Sequence, residues 1–195
     1  MASLRGTETE KNLMRGFAGE SQARNRYTFY AKVANEQGYP LIENIFSLTA
    51  AQEHAHAKAF YKYLVEELNG EEIEIDASFP VAYYSEDTLK NLQAAVAGET
   101  HEHEEVYPAF AQIAKDEGFP KVAATFKMIA EVEALHAKRF ASIATDIENG
   151  TLFKKSEPVA WHCLYCGHIH FGAVAPAKCP ICLQGQGFFE VGAKY

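Results

Sequence analysis

Between Thr7 and Gly150 the apolar residues recur at alternating steps of three and four, with Ala, Glu and Lys filling the positions between them. That spacing marks amphipathic helices. Four are predicted, at roughly 8–36, 40–68, 86–116 and 120–148. The segments EQGYP (36–40) and DEGFP (116–120) put Gly behind one helix and Pro at the head of the next, so each reads as a tight break. The stretch from Asn69 to Ser85 is much longer and predicts a crossover that joins the second and third helices as parallel neighbours. From Trp161 onward the chain changes to short aromatic segments punctuated by Gly and Pro. Two units follow: a mainly α four-helix bundle over 1–150, and a linker with a small metal-binding β ribbon over 151–195.

The bundle repeats itself. Residues 34–60 align without a gap on residues 114–140 at an offset of 80, so two helix pairs share one template and a pseudo-twofold axis should relate them. Tyr27 matches Tyr107 at the same offset, but the AGE of 18–20 matches the AGE of 97–99 at an offset of 79. The third helix therefore carries one extra residue between Glu99 and Tyr107. A π-bulge absorbs such an insertion, and Pro108 adds to the local break.

The helix seams contain carboxylates where a core is due. The second helix presents Ile42, Phe46, Thr49, Glu53, His56, Phe60 and Tyr63; the fourth presents Val122, Phe126, Ile129, Glu133, His136, Phe140 and Ile143. The first adds Leu13, Phe17, Glu20, Tyr27 and Ala34, and the third Leu92, Val96, Glu99, Glu102, Val106 and Phe110. A lone helical Glu is ordinarily a solvated charge. Five facing one apolar interior would each cost several kcal/mol if unpaired, at roughly the burial penalty of a charge. No Lys or Arg set matches them, and Arg24 alone comes close, so cations must compensate. Glu and His three residues apart lie about 300° apart on the helix wheel, hence on one face.

One Glu from each of two helices plus a Glu-x-x-His from each of the other two is the ligand pattern of ferritin-like di-iron and di-manganese bundles. By the internal repeat Glu20 pairs with Glu99, Glu53 with Glu133 and His56 with His136, leaving Glu102 as a seventh candidate. His56 and Glu102 are expected to compete for one iron, the harder carboxylate suiting the ferric ion and imidazole the ferrous. His54, His101 and His103 fall off the seams and are expected at the surface. Tyr27 and Tyr107 are either plain core aromatics or groups that orient the ligands.

Composition narrows the function further. Acids outnumber bases 26 to 18, for a formal charge of −8, so no basic footprint exists for nucleic acid. The N-terminal residues lack a signal-peptide pattern and no long apolar run occurs, so a cytoplasmic protein that does not enter the membrane is expected. All four cysteines, Cys163, Cys166, Cys179 and Cys182, form two C-x-x-C knuckles that suit one tetrahedral ion. Zinc ribbons share this spacing. Trp161, Tyr165, Phe171, Phe188 and Phe189, expected to form an apolar shell, and the neighbouring redox pair favour a one-iron electron carrier.

FAGESQARNRY, the two E-x-x-H helices and the C-terminal C-x-x-C pairs together resemble the rubrerythrin family across essentially the whole chain. The resemblance implies a ferritin-like four-helix bundle with one long crossover, followed by a rubredoxin-like ribbon. It implies two iron ions as a di-iron site on Glu20, Glu53, Glu99, Glu102, Glu133 and His136, with His56 replacing Glu102 on reduction. One further iron would sit among the four cysteines. The implied activity is reduction of hydrogen peroxide to water by a cytoplasmic homodimer, with a rubredoxin or rubredoxin reductase as electron donor. The rival readings are iron oxidation and storage, for which the ribbon would be superfluous, and a non-enzymatic zinc-ribbon binding module.

Overall fold

The structure, a computed structural model, describes residues 3–192. The helices are α1 (Glu8–Glu36), α2 (Pro40–Leu68), α3 (Thr88–His101), α4 (Tyr107–Asp116) and α5 (Pro120–Glu148). Between α3 and α4 the chain makes a π-helical turn at Glu102–Val106, where the extra residue is accommodated. The third helix begins at Thr88 and not at 86. Asp87 takes the N-cap and accepts from the Lys90 N–H, so the residues before it lie outside the helix.

The two tight breaks are built alike. Gly38 and Gly118 adopt φ of +78° and +87°, a region open to glycine without strain. The next amide then bonds back across the helix end, Tyr39 to the Ala34 carbonyl and Phe119 to that of Ala114. Each break also caps a helix of the other half: the Gln37 side chain accepts from the Thr88 N–H, and the Glu117 carboxylate accepts from those of Glu8 and Thr9.

α1 packs chiefly on α2, and α5 on α3 and α4. These pairs meet through α1 against α3 and α4, and through α2 against α5. The second and third helices are therefore diagonal, and not the neighbours expected from the crossover. The pseudo-twofold arrangement explains this, because it sets the two E-x-x-H helices beside each other. The crossover is extended and fixed to α1 by Arg15, which donates to Asp76, and by Tyr30, which donates to the Ala82 carbonyl.

Two apolar clusters fill the bundle. One gathers Leu13, Phe60, Leu64, Tyr107 and Phe126; the other Tyr27, Ile42, Phe46, Leu92 and Phe140. Along α2, Glu53 lies between Phe46 and Phe60; along α5, Glu133 and His136 lie between Phe126 and Phe140. A polar belt thus crosses the core at mid-height.

The C-terminal ribbon is an antiparallel sheet in the order β2 (Ile169–Val174), β1 (Lys154–Cys163), β3 (Phe189–Val191). It rests on the end of the bundle where α2 starts. A Cβ at Gly187 would overlap the Gly38 carbonyl oxygen, so only glycine permits this approach. Tyr39 stacks on Phe153, and Lys155 pairs with Asp146 at the end of α5.

Candidate metal centres

The belt brings four long helices to one point. Glu20, Glu53, His56 and Glu133 form one group whose ligand atoms lie within 4.8 Å of one another; Glu53, Glu99, Glu133 and His136 form a second. Glu53 and Glu133 belong to both, the arrangement of two carboxylates shared between two ions. His56 Nδ1 is 2.9 Å from Glu133 and 3.1 Å from Glu53, while His136 Nδ1 is 2.8 Å from Glu133 and 3.1 Å from Glu53. All but His56 are fully buried, and its side chain is 13% exposed. Glu102 stands outside both groups and lines a cavity between α1 and α3.

Phenols and one amide orient these ligands. Tyr27 donates to Glu99 and Tyr107 to Glu20, each at 2.5 Å, a pair of bonds exchanged by the pseudo-twofold relation. His136 Nε2 lies 3.0 Å from the Gln52 side-chain oxygen, which selects the tautomer with Nε2–H and leaves the Nδ1 lone pair toward the carboxylates. Gln52 escaped the sequence reading because it precedes a ligand and lies off the seam. Its counterpart at an offset of 80 is Val132, which cannot accept a hydrogen bond, so the repeat offers His56 no equivalent.

The groups fit cations. Glu20 Oε2, Glu53 Oε1, Glu99 Oε2, both oxygens of Glu133 and His136 Nδ1 are closed to water without a well-formed hydrogen bond. Such orphans are costly unless an ion serves them. Withdrawal from water, then the charges of Glu133 and Glu53, pushes Glu20 well above the ordinary carboxylate range; withdrawal from water likewise takes Glu99 to about 8. His136 would be lowered by burial, but the carboxylates of Glu133, Glu53 and Glu99 close to its Nδ1 push it up to about 12. Protons are the only compensation the chain itself provides. The four carboxylates of the two groups, Glu20, Glu53, Glu99 and Glu133, match the charge of two divalent ions.

Cation placement differs from expectation in one respect. Arg24 is exposed, and Arg26 turns inward instead, beside the cavity that Glu102 lines. His54 and His101 lie at the surface, but His103 is half-buried and bonds the Ala130 carbonyl at 2.8 Å. The π-turn rotates it onto α5.

In the ribbon the four thiols are free, with Cys163 Sγ 3.8 Å from Cys182 and Cys166 Sγ 3.6 Å from Cys179. A tetrahedron with metal–sulfur bonds of about 2.3 Å has edges of about 3.8 Å, so the cage already has the required size. Burial would raise Cys179, yet the amides of Cys182 and Ile181 hold it at about 7, as donors aimed at a thiolate do. Trp161 and Phe189 are fully buried against the cage and Phe188 partly so. Tyr165 and Phe171 are 64% and 73% exposed, so the apolar shell is narrower than expected. Tyr165 lies in the turn after β1 and meets Phe188 only edge-on, with ring centroids 5.8 Å apart, and Phe171 lies on β2.

The rubrerythrin family model matches residues 11–144, and the rubrerythrin rubredoxin-like domain model matches residues 161–190. This chain belongs to the rubrerythrin family. It is 52% identical to a rubrerythrin of Clostridium perfringens, over 98% of this chain and 97% of that one. Against rubrerythrin-1 of Clostridium acetobutylicum the identity is 50%, with the same shares covered. Among solved structures it resembles nigerythrin in a partially reduced state, with a TM-score of 0.64 and 32% identity over 98% of this chain and 92% of that one. The cofactors of a rubrerythrin are an iron pair and a single iron on four cysteines, and both donor sets are present here.

Proposed function

We propose that the chain reduces hydrogen peroxide to water, H2O2 + 2 e⁻ + 2 H⁺ → 2 H2O, with electrons passed from the ribbon to the bundle. The observation that carries this reading is the joining, in one polypeptide, of a two-metal carboxylate cage and a one-metal thiolate cage seated on the same bundle. When bound, the iron pair supplies Lewis acidity and one electron from each ion, so the O–O bond breaks without a one-electron oxygen radical.

The proposed ligands are Glu20, Glu53, His56, Glu99, Glu133 and His136 for the pair, and Cys163, Cys166, Cys179 and Cys182 for the single iron. Glu53 and Glu133, which belong to both donor groups, would each serve both ions. Tyr27 and Tyr107 keep Glu99 and Glu20 in place, and Gln52 keeps the His136 ring from turning. His56 has no such latch. Four carboxylates balance two divalent ions, and a pair of higher charge calls for a fifth; Glu102 is the candidate. In this reading Glu102 and His56 exchange as ligands when the pair changes oxidation state. The working form is a cytoplasmic homodimer served by a rubredoxin or a rubredoxin reductase. No helix among the described residues is long and apolar enough to cross a membrane.

An anaerobic titration tests the reading. Holoprotein is reduced and peroxide is added in steps while the visible spectrum is followed. Two bundle ferrous ions oxidised per peroxide, followed by oxidation of the ribbon to a red ferric form, is the expected course. Slow oxidation by peroxide with accumulation of a mineral core would favour iron storage, and a colourless ribbon would favour a zinc module.

A further inference from the structure

Helix α1 carries glycine at 16 and 19, well inside a helix that runs from Glu8 to Glu36. Glycine weakens a helix interior relative to alanine, so each position calls for a reason. Gly16 has one: a Cβ there would stand 2.9 Å from the Phe60 ring. Gly19 has no such obstruction. A Cβ at 19 would meet Phe79 Cε1 at 3.6 Å and Glu102 Oε1 at 4.0 Å, both ordinary contacts. Alanine would fit, strengthen the helix and fill space, yet the position is bare.

Gly19 lines the cavity of about 260 Å³ between α1, α3 and the crossover, and Phe79, Glu102 and Tyr107 share its wall. The crossover is pinned on either side of this cleft, at Asp76 by Arg15 and at Ala82 by Tyr30, and Phe79 lies between the pins. Phe79 is 41% exposed, so the outer side of the cleft faces solvent. Its inner side reaches the donor set: Glu20 follows Gly19 directly, and Tyr107 donates to Glu20. A methyl at 19 would touch Phe79 and Glu102 together, so the gap between them is about one methyl wide. That gap passes a molecule the size of water or peroxide and little more.

We infer that hydrogen peroxide reaches the iron pair through this cleft, passing over Gly19, and that the glycine is bare because a side chain there would close the way. Gly19 and Phe79 set the rate of entry and take no part in the chemistry. The inference rests on the peroxide reduction proposed above and requires no movement of Glu102. A narrowed passage raises one barrier crossed in both directions, so it slows arrival and departure alike and leaves affinity unchanged. An altered metal site would change affinity.

The test is stopped-flow binding of azide to oxidised, iron-loaded protein, and its release on dilution, in the unaltered chain, Gly19→Ala, Gly19→Val, Phe79→Ala and Val132→Leu. The last narrows the other approach, the α2–α5 side on which the His56 side chain is 13% exposed. Gly19→Ala should slow binding and release by one common factor of about ten, with the azide Kd unchanged and the thermal midpoint no lower. Gly19→Val should slow both further, Phe79→Ala should speed both, and kcat/KM for peroxide should follow the binding rates. Unchanged rates in both Gly19 variants, or slowing in Val132→Leu alone, would overturn the inference, as would a changed azide Kd in Gly19→Ala. If Gly19→Val does not fold with its metals, Gly19→Ala and Phe79→Ala decide. No peroxide turnover in the unaltered chain sinks the peroxidase reading and the inference with it; turnover with azide rates indifferent to position 19 sinks the inference alone.

Discussion

A phenol donating at 2.5 Å to a buried carboxylate oxygen does two things at once for Glu20 and Glu99. It satisfies one lone pair and turns the remaining oxygen toward the centre of the belt. Tyr107→Phe keeps the ring, which packs between Phe60 and Phe126, and removes only the hydroxyl. Iron affinity of the bundle should then fall about 10- to 100-fold, the usual loss when a group that orients a ligand is removed. Competition with a chelator measures this. An unchanged affinity would reduce Tyr107 to packing.

At the level of the element, the π-turn at Glu102–Val106 is where the internal symmetry breaks. Such a turn wastes hydrogen bonds and persists when it places something useful. Here it carries Glu102 to the cavity wall and His103 onto α5. Deleting Glu104, which is exposed and within the turn, should convert the segment to regular α-helix. The bundle should melt no lower than before, while peroxide turnover drops because Glu102 loses its alternative position. Thermal unfolding and a turnover assay on the same sample give both numbers. Full turnover in the shortened protein would show that the insertion is neutral.

For the whole molecule, metal and protons compete for the belt. In metal-free protein Glu99, at about 8, is raised above its ordinary 4.5, so the stability it contributes is present at low pH and lost as pH rises through 8. Burial would lower His56, but Glu133 and Glu53 raise it from 6.5 to about 9, so its contribution is lost as pH rises over that interval. Glu53 works in the opposite sense: burial opposes it, yet His136 and His56 hold it at about 2, so its contribution appears above 4.5 and vanishes in strong acid. Metal-free protein should therefore melt at a lower temperature at pH 9 than at pH 6.5, and below the iron-loaded form throughout, with iron flattening the dependence. Calorimetry at the two pH values checks this; equal midpoints with and without iron would contradict a buried metal site.

The seating of the ribbon bears on electron flow. It meets the bundle near Pro40, and Glu53 lies 13 residues farther, about 20 Å along α2. We propose that electrons pass instead from the ribbon of a second chain in a head-to-tail homodimer. A chain with Cys182→Ser mixed with a chain with Glu133→Ala, each inactive alone, should recover peroxidase activity once subunits exchange. Verified mixed dimers that stay inactive with their retained sites metallated would point to transfer within one chain.

Much of this was legible in the chain alone, because helix period, turn chemistry and ligand type are local properties. Glu53 and His56, or Glu133 and His136, share a face wherever that helix is placed. The gap between offsets of 80 and 79 likewise announced the π-turn before any contact was known. What tertiary structure decided involves partners distant in sequence and a rotation of about 100° per residue. Two residues are enough to separate exposed Arg24 from inward-facing Arg26. The Gln52 contact with His136 spans 84 positions, and no periodicity in either helix encodes it. The diagonal placement of α2 and α3 and the exposure of Tyr165 and Phe171 follow from how elements pack. Local pattern sets which face is apolar, and only the assembled bundle sets what that face meets.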